Sequence, residues 1–177
     1  IEYIDTESDS SVDVKTLRYD VTFNVPDYIL SMEMQKKLKN SSIKSFRRRM
    51  LIYFAKLLYS SVKKGEGYET SKTCYQIVFC NFPINMEYAI ENLNFIIKNK
   101  IVFDDKIIFV DLTKLESCDN ISIKRWMKLM VSKNFDEIDK SSVGVQEAIK
   151  EIKKANEDEI IAKRIFDREM LEHDRAT

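Results

Sequence analysis

Residues 18–35 read RYDVTFNVPDYILSMEMQ. Leu17, Tyr19, Val21 and Phe23 alternate with Arg18, Asp20, Thr22 and Asn24 ahead of Pro26-Asp27, and Leu30, Met32 and Met34 alternate with Ser31, Glu33 and Gln35 after it. A period of two on both sides of a turn signal predicts an antiparallel hairpin with one buried face. With Pro26 and Asp27 at the centre of the turn, Val25 flanks Tyr28 and Asp20 falls opposite Glu33. Directly opposed residues share a face with Cβ atoms roughly 4.5–5.5 Å apart, and Gln35 joins that face two residues along. The apolar set is expected to be buried, and Asp20, Glu33 and Gln35 to form a polar face. Pro-Asp suits a type I turn better than the primed turns of tight hairpins, so a longer loop or a bulge is the competing register.

Two opposed carboxylates have a short list of uses: solvated surface groups, a shared-proton dyad, a glycosidase acid and base, or ligands of a hard divalent cation. The rest of the composition narrows the chemistry. His173 is the only histidine and lies four residues from the C-terminus, which argues against Ser-His-Asp, Cys-His and His-ligand metal sites. Cys74, Cys80 and Cys118 are odd in number at unrelated spacings, matching neither a disulfide framework nor a thiolate zinc site, and read as buried thiols. Carboxylates, amides, lysines and hydroxyls are left to carry any catalysis.

The formal net charge of zero conceals an asymmetry. Between Met34 and Gly65 there is no acidic residue, while Lys36, Lys37, Lys39, Lys44, Arg47, Arg48, Arg49, Lys56, Lys63 and Lys64 are all basic. With Phe46, Tyr53, Phe54 and Tyr59 interleaved, this is the footprint of a phosphate-binding face, and equally that of a solvated helix face with acidic neighbours. The first alternative favours metal among the uses of the carboxylates, because Mg²⁺ takes one or two carboxylates and completes its shell with waters and substrate phosphate oxygens.

Elsewhere, Ile43, Phe46, Met50, Tyr53, Phe54, Leu57 and Leu58 recur at helical spacing, predicting a long amphipathic helix over 42–64 that stops at Gly65. TCYQIVFCNF, residues 73–82, reads as a buried strand. Residues 93–103 and 106–112 read as two strands turning at Asp104-Asp105, with EYAIENLNFIIKN open to a helical alternative. Residues 121–131 predict a helix carrying Trp126, and 143–155 and 158–172 two charged helices. The chain of 177 residues, with 44% apolar and 33% charged residues and only three Gly and two Pro, fits one globular unit of long elements and short loops. No apolar run approaches the roughly 20 residues of a membrane span, and the acidic start IEYIDTESDS does not read as a secretory signal. A cytoplasmic protein without membrane contact is expected. The chain starts at Ile1 without an initiator Met, so a natural N-terminal part is expected to be missing.

Asp, a short hairpin, Glu-x-Gln and then a helix resemble the PD-(D/E)XK nuclease pattern with glutamine in place of its lysine. RRRMLIYFAKLLYSSVKKGEGY resembles the segment that follows the active-site strand in the recombination-promoting nuclease and transposase-like family, and FVDLTKL and IKRWMKLM resemble that family's later strand and Trp-bearing helix. The likeness covers roughly residues 15–131 and is most specific over 30–68. It implies a restriction-endonuclease-like α/β core with a central mixed β-sheet flanked by helices, over 1–135, followed by a charged helical C-terminal extension over 136–177. It also implies a divalent-metal-dependent DNA endonuclease associated with recombination, mobile elements or defence. Asp20 and Glu33 would bind Mg²⁺, or Mn²⁺ as a substitute, and Gln35 would complete the catalytic set. Lys36, Lys37, Lys39, Lys44, Arg47, Arg48, Arg49, Tyr53 and Lys56 would face DNA. The hairpin lacks the glycine common in the family, and a homodimer stays open. The alternative is a catalytically degenerate nuclease-fold domain that binds DNA or self-associates.

Overall fold

The computed structural model describes residues 2–3, 21–36, 42–62, 65–132, 134–157 and 163. Two compact units divide the chain, Ile1–Cys118 and Asp119–Thr177. The nuclease-like part read from the sequence runs to residue 135. In compactness, however, the helix at 121–131 goes with the second unit.

The first unit is a mixed α/β structure. Its strands are β1 (Glu2–Tyr3), β2 (Val21–Asn24), β3 (Tyr28–Gln35), β4 (Thr73–Cys80), β5 (Ile90–Ile97) and β6 (Lys100–Asp111), in the sheet order β1-β2-β3-β4-β6-β5. β2 and β3 form the expected hairpin. Val21 pairs with Met32, Thr22 with Ser31, Phe23 with Leu30 and Asn24 with Ile29, the register that a two-residue Pro26-Asp27 turn dictates. The turn is closed by Val25 N–H donating to the Tyr28 carbonyl at 2.9 Å.

β3 runs parallel to β4, and parallel neighbours require a crossover. Helix α1 (Ile43–Ser60) supplies it, with Ser42 capping its N-terminus by accepting from Ser45 N–H at 3.1 Å. Phe46, Met50, Phe54 and Leu57 recur every three or four residues and are its buried stripe. They pack on Ile29, Cys74, Val78, Cys80, Ile107 and Phe109 to make the core. Burying each large side chain contributes about 1.5–3 kcal/mol, so this one stripe anchors the helix to the sheet. The helix ends sooner than the expected stop at Gly65. Ser60 and Ser61 hydroxyls donate to the carbonyls of Leu57 and Leu58, at 2.8 and 2.7 Å, and satisfy the orphan acceptors of the last turn there.

The second hairpin corrects another expectation. β5 and β6 turn at Lys98-Asn99, not at Asp104-Asp105, and no helix replaces β5. Both turn residues have positive φ, 48° and 63°, as a tight hairpin loop of the primed type demands. The two aspartates fall instead where the β5/β6 register shifts, between the pairs Asn94–Lys106 and Ile96–Ile101. There Asp105 Oδ1 accepts from the Cys74 N–H at 2.7 Å, so a good turn former serves as an edge acceptor for the start of β4.

In the second unit, α2 (Ile121–Val131) coincides with its prediction and α3 (Val143–Glu157) runs two residues longer than expected. Leu129, Ile138, Val145 and Ile149 form a small core of their own. The helix expected over 158–172 lies outside the described residues, Lys163 apart.

Candidate functional site

In β3 the alternation groups residues as predicted but the covered side is the reverse of the expected one. Ile29, Ser31 and Glu33 are buried, whereas Leu30, Met32 and Met34 on the other face are half-buried. Glu33 is only 2% exposed, where a solvated polar face was expected. Period two says which residues share a face. It does not say which face receives the helix, and here α1 lands on the side that carries Glu33. The change matters chemically, because a carboxylate in a covered, low-dielectric position interacts far more strongly with a cation or a donor than one in water.

Gln35 sits at the C-terminal end of β3 on the same face as Glu33. Its backbone carbonyl accepts from Asn81 N–H at 2.9 Å, and its side-chain Oε1 accepts from Arg49 Nη2 at 2.7 Å. The crossover helix must run back along the strand it follows, so its first turns stand over that strand's last residues. The Arg49 guanidinium also lies 5.7 Å from the centre of the Phe46 ring, a cation–π contact that steadies the side chain.

The remaining basic residues do not form one uniform face. Consecutive helical residues are separated by about 100°, so Arg47, Arg48 and Arg49 fan out in three directions. Arg47 donates to the carbonyls of Ile84 and Asn85, at 2.8 and 3.4 Å, and so ties α1 to the segment after β4. Lys36, Lys44 and Arg48 are exposed, Tyr53 and Lys56 half-buried, and Tyr53 packs against the core. Asp20, Lys37 and Lys39 lie outside the described residues.

Sequence reasoning passed over four buried polar residues on the covered face or its rim. Asp111, fully buried at the end of β6, accepts from Thr113 N–H and Oγ1 and from Ile84 N–H, at 3.0, 2.5 and 3.3 Å, which makes it a structural knot. Thr22, Ser31 and Gln76 are buried with no such partners among the described residues. Gln76 had a signal in the sequence: it is the one amide at an inward position of TCYQIVFC. Cys74 and Cys80 are buried thiols as expected, whereas Cys118 is half-buried. Burial pushes Cys80 up to about 12, with the Asp111 carboxylate adding to it, and burial pushes Cys74 up to about 11. Both are protonated near neutrality and supply no thiolate.

Among the described residues, no three His, Cys, Asp or Glu side chains come together as a metal cage. Glu33 is the buried acid of β3, with the Gln35 amide two residues along and Arg49 bonded to that amide. A mixed sheet flanked by a crossover helix, with Glu-x-Gln on the strand before that helix, defines a restriction-endonuclease-like α/β fold. A model for the PD-(D/E)XK nuclease family transposase matches residues 1–177, and the chain belongs to that family. The resemblance carried by the Glu-x-Gln strand and its helix is thereby borne out. Comparison with curated proteins gives no match, and neither does comparison with solved structures. A nuclease family implies DNA as the substrate class, and PD-(D/E)XK nucleases generally use divalent metals. No helix among the described residues is long and apolar enough to cross a membrane.

Proposed function

We propose that the chain is a divalent-metal-dependent DNA endonuclease in which Asp20 and Glu33 hold the cation while Gln35 and Arg49 address the scissile phosphate. The observation that carries this reading is the 2.7 Å hydrogen bond from Arg49 to Gln35, two residues from the buried Glu33. It brings a carboxyl, an amide and a guanidinium to one strand end. The donors fit a hard cation. Glu33 offers a carboxylate on the covered face, and Cys80 opposite Gln35 stays protonated. Mg²⁺ takes such oxygen sets, with Mn²⁺ as a substitute.

When bound, the cation lowers the pKa of water and offsets charge on the phosphate. The chain's own groups do the rest. Gln35 has no basic atom and takes no proton near neutral pH, so its part is to hold a donor in place. Arg49 is a guanidinium, with donors only. With one nitrogen on Gln35, its other N–H groups can grip a phosphate oxygen. Association with mobile elements follows the family's transposase character and is part of the same reading.

Nicking of supercoiled plasmid in Mg²⁺ and Mn²⁺ tests it. Glu33→Gln and Asp20→Asn keep shape and remove a charge, so each is expected to abolish cleavage with the circular dichroism spectrum unchanged. Cleavage that survives both substitutions overturns the assignment. A wild type that binds DNA but leaves it uncut in both metals returns the alternative, a nuclease fold kept as a binding module.

A further inference from the structure

Thr22, Ser31 and Gln76 form a single row across three strands. Thr22 is the cross-strand partner of Ser31, and Ser31 is the partner of Gln76. They are 5%, 0% and 0% exposed, on the side covered by α1. Thr22 Oγ1, Ser31 Oγ and both the nitrogen and the oxygen of the Gln76 amide have no hydrogen-bond partner among the described residues.

A buried polar group left in that condition lowers the stability of the fold. The row is surrounded by residues that avoid the cost, since the other inward positions of β4 are Cys74, Val78 and Cys80. A methionine or leucine at 76 would fill the same space with nothing to satisfy. Polar groups that lower the stability of the empty fold mark a place where function, not folding, sets the residue.

What lies within reach is Glu33. It pairs with Val78, so Gln76 is its diagonal neighbour one row away on the same face. With parallel strands about 4.8 Å apart and rising about 3.3 Å per residue, such neighbours stand roughly 8 Å apart, a gap that a glutamine side chain spans. The amide is a donor at one end and an acceptor at the other. Its nitrogen can donate to a carboxylate while its oxygen accepts from the Ser31 hydroxyl, which can in turn pass the chain to Thr22.

We infer that Gln76, backed by Ser31 and Thr22, is a positioning residue for Glu33. Its N–H donates to the Glu33 carboxylate when a divalent cation draws that carboxylate into its shell, and fixes which oxygen faces the cation. The assignment rests on the metal-dependent reading of the same site. Partners of this kind typically alter metal affinity by about 10–100-fold when removed.

The test uses the whole chain, with Mn²⁺ alone as the probe, and reads calorimetric Mn²⁺ affinity and metal-free thermal stability side by side. Gln76→Met is expected to leave the metal-free melting temperature unchanged or raised while weakening Mn²⁺ binding about 10–100-fold. Ser31→Ala is expected to change both in the same directions by less. A Gln76→Met protein that melts earlier without metal and binds Mn²⁺ as the wild type does shows a purely structural glutamine and overturns the inference. Should Gln76→Met fail to fold, the Ser31→Ala affinity decides, and an unchanged value there is equally fatal. Glu33→Ala separates the two levels. If the wild type binds Mn²⁺, Glu33→Ala loses it and Gln76→Met keeps it, only the positioning role falls. A wild type that neither binds Mn²⁺ nor cuts DNA removes the nuclease reading and this role together.

Discussion

Arg49 donates to the side-chain oxygen of Gln35 across 2.7 Å, and that single contact orients the amide. A guanidinium has only donors, so it selects the oxygen end of Gln35 and turns the two N–H donors away. In the commoner form of the motif a lysine stands at this position. In the site proposed above, the glutamine with its arginine would present the same kind of group, an N–H donor, with the cationic group on the helix instead of the strand.

This division of labour makes a prediction about restoring the lysine. The sequence alone suggests that Gln35→Lys keeps activity, because it recreates the common motif. Beside Arg49 the new ammonium meets a like charge and removes the acceptor Arg49 uses, so Gln35→Lys alone is expected to lower cleavage. Gln35→Lys combined with Arg49→Gln is expected to recover it, with a coupling of at least about 0.5 kcal/mol in a double-mutant cycle. Additive losses would show that the two side chains act independently.

The hairpin and the grouping of Glu33 with Gln35 were readable from the sequence, within limits that are physical. The hairpin register followed from one turn, and the resemblance set Arg49 among the residues facing DNA, while its bond to Gln35 is seen only in the structure. The sidedness of β3 was not readable, because alternation fixes parity and leaves the helix free to cover either face. Asp104-Asp105 misled for a different reason: aspartate suits turns and also accepts from a strand's unpaired N–H, and tertiary context chose the second. Gln76 was visible as an anomaly, but its meaning depended on knowing that Ser31 and Thr22 continue its row.

The three consecutive arginines are expected to respond differently to truncation. Arg47 is bonded to the Ile84 carbonyl in a partly buried setting, so Arg47→Ala is expected to cost about 0.5–1.5 kcal/mol in urea denaturation. Arg48 is exposed with no contact of that kind among the described residues, and Arg48→Ala is expected to leave stability within about 0.5 kcal/mol. On DNA the order reverses if Arg48 meets a phosphate. Its removal then reduces the dependence of log affinity on log salt by about one unit, whereas a purely structural Arg47 leaves that slope alone. Equal stability losses for the two variants would refute the fan-shaped arrangement.

The buried thiols give the fold a definite alkaline limit. Cys74 is held up at about 11 and Cys80 at about 12, against an ordinary value of 9.0 in the unfolded chain. Between those values the folded state keeps protons that the unfolded state has released, so unfolding free energy falls as pH rises. The contribution is complete below pH 9.0, declines through the interval up to about 11 and 12, and is absent beyond it. Urea denaturation from pH 8 to 11 is therefore expected to show a falling midpoint, and Cys74→Ala with Cys80→Ala to flatten the fall after allowing for the packing both variants lose. The same burial predicts that at pH 8 a thiol reagent modifies the half-buried Cys118 first, with Cys74 and Cys80 reacting only as fast as the protein opens. Rapid labelling of all three cysteines in the native protein would contradict the packing of α1 on β4, since Cys74 and Cys80 both lie beneath that helix.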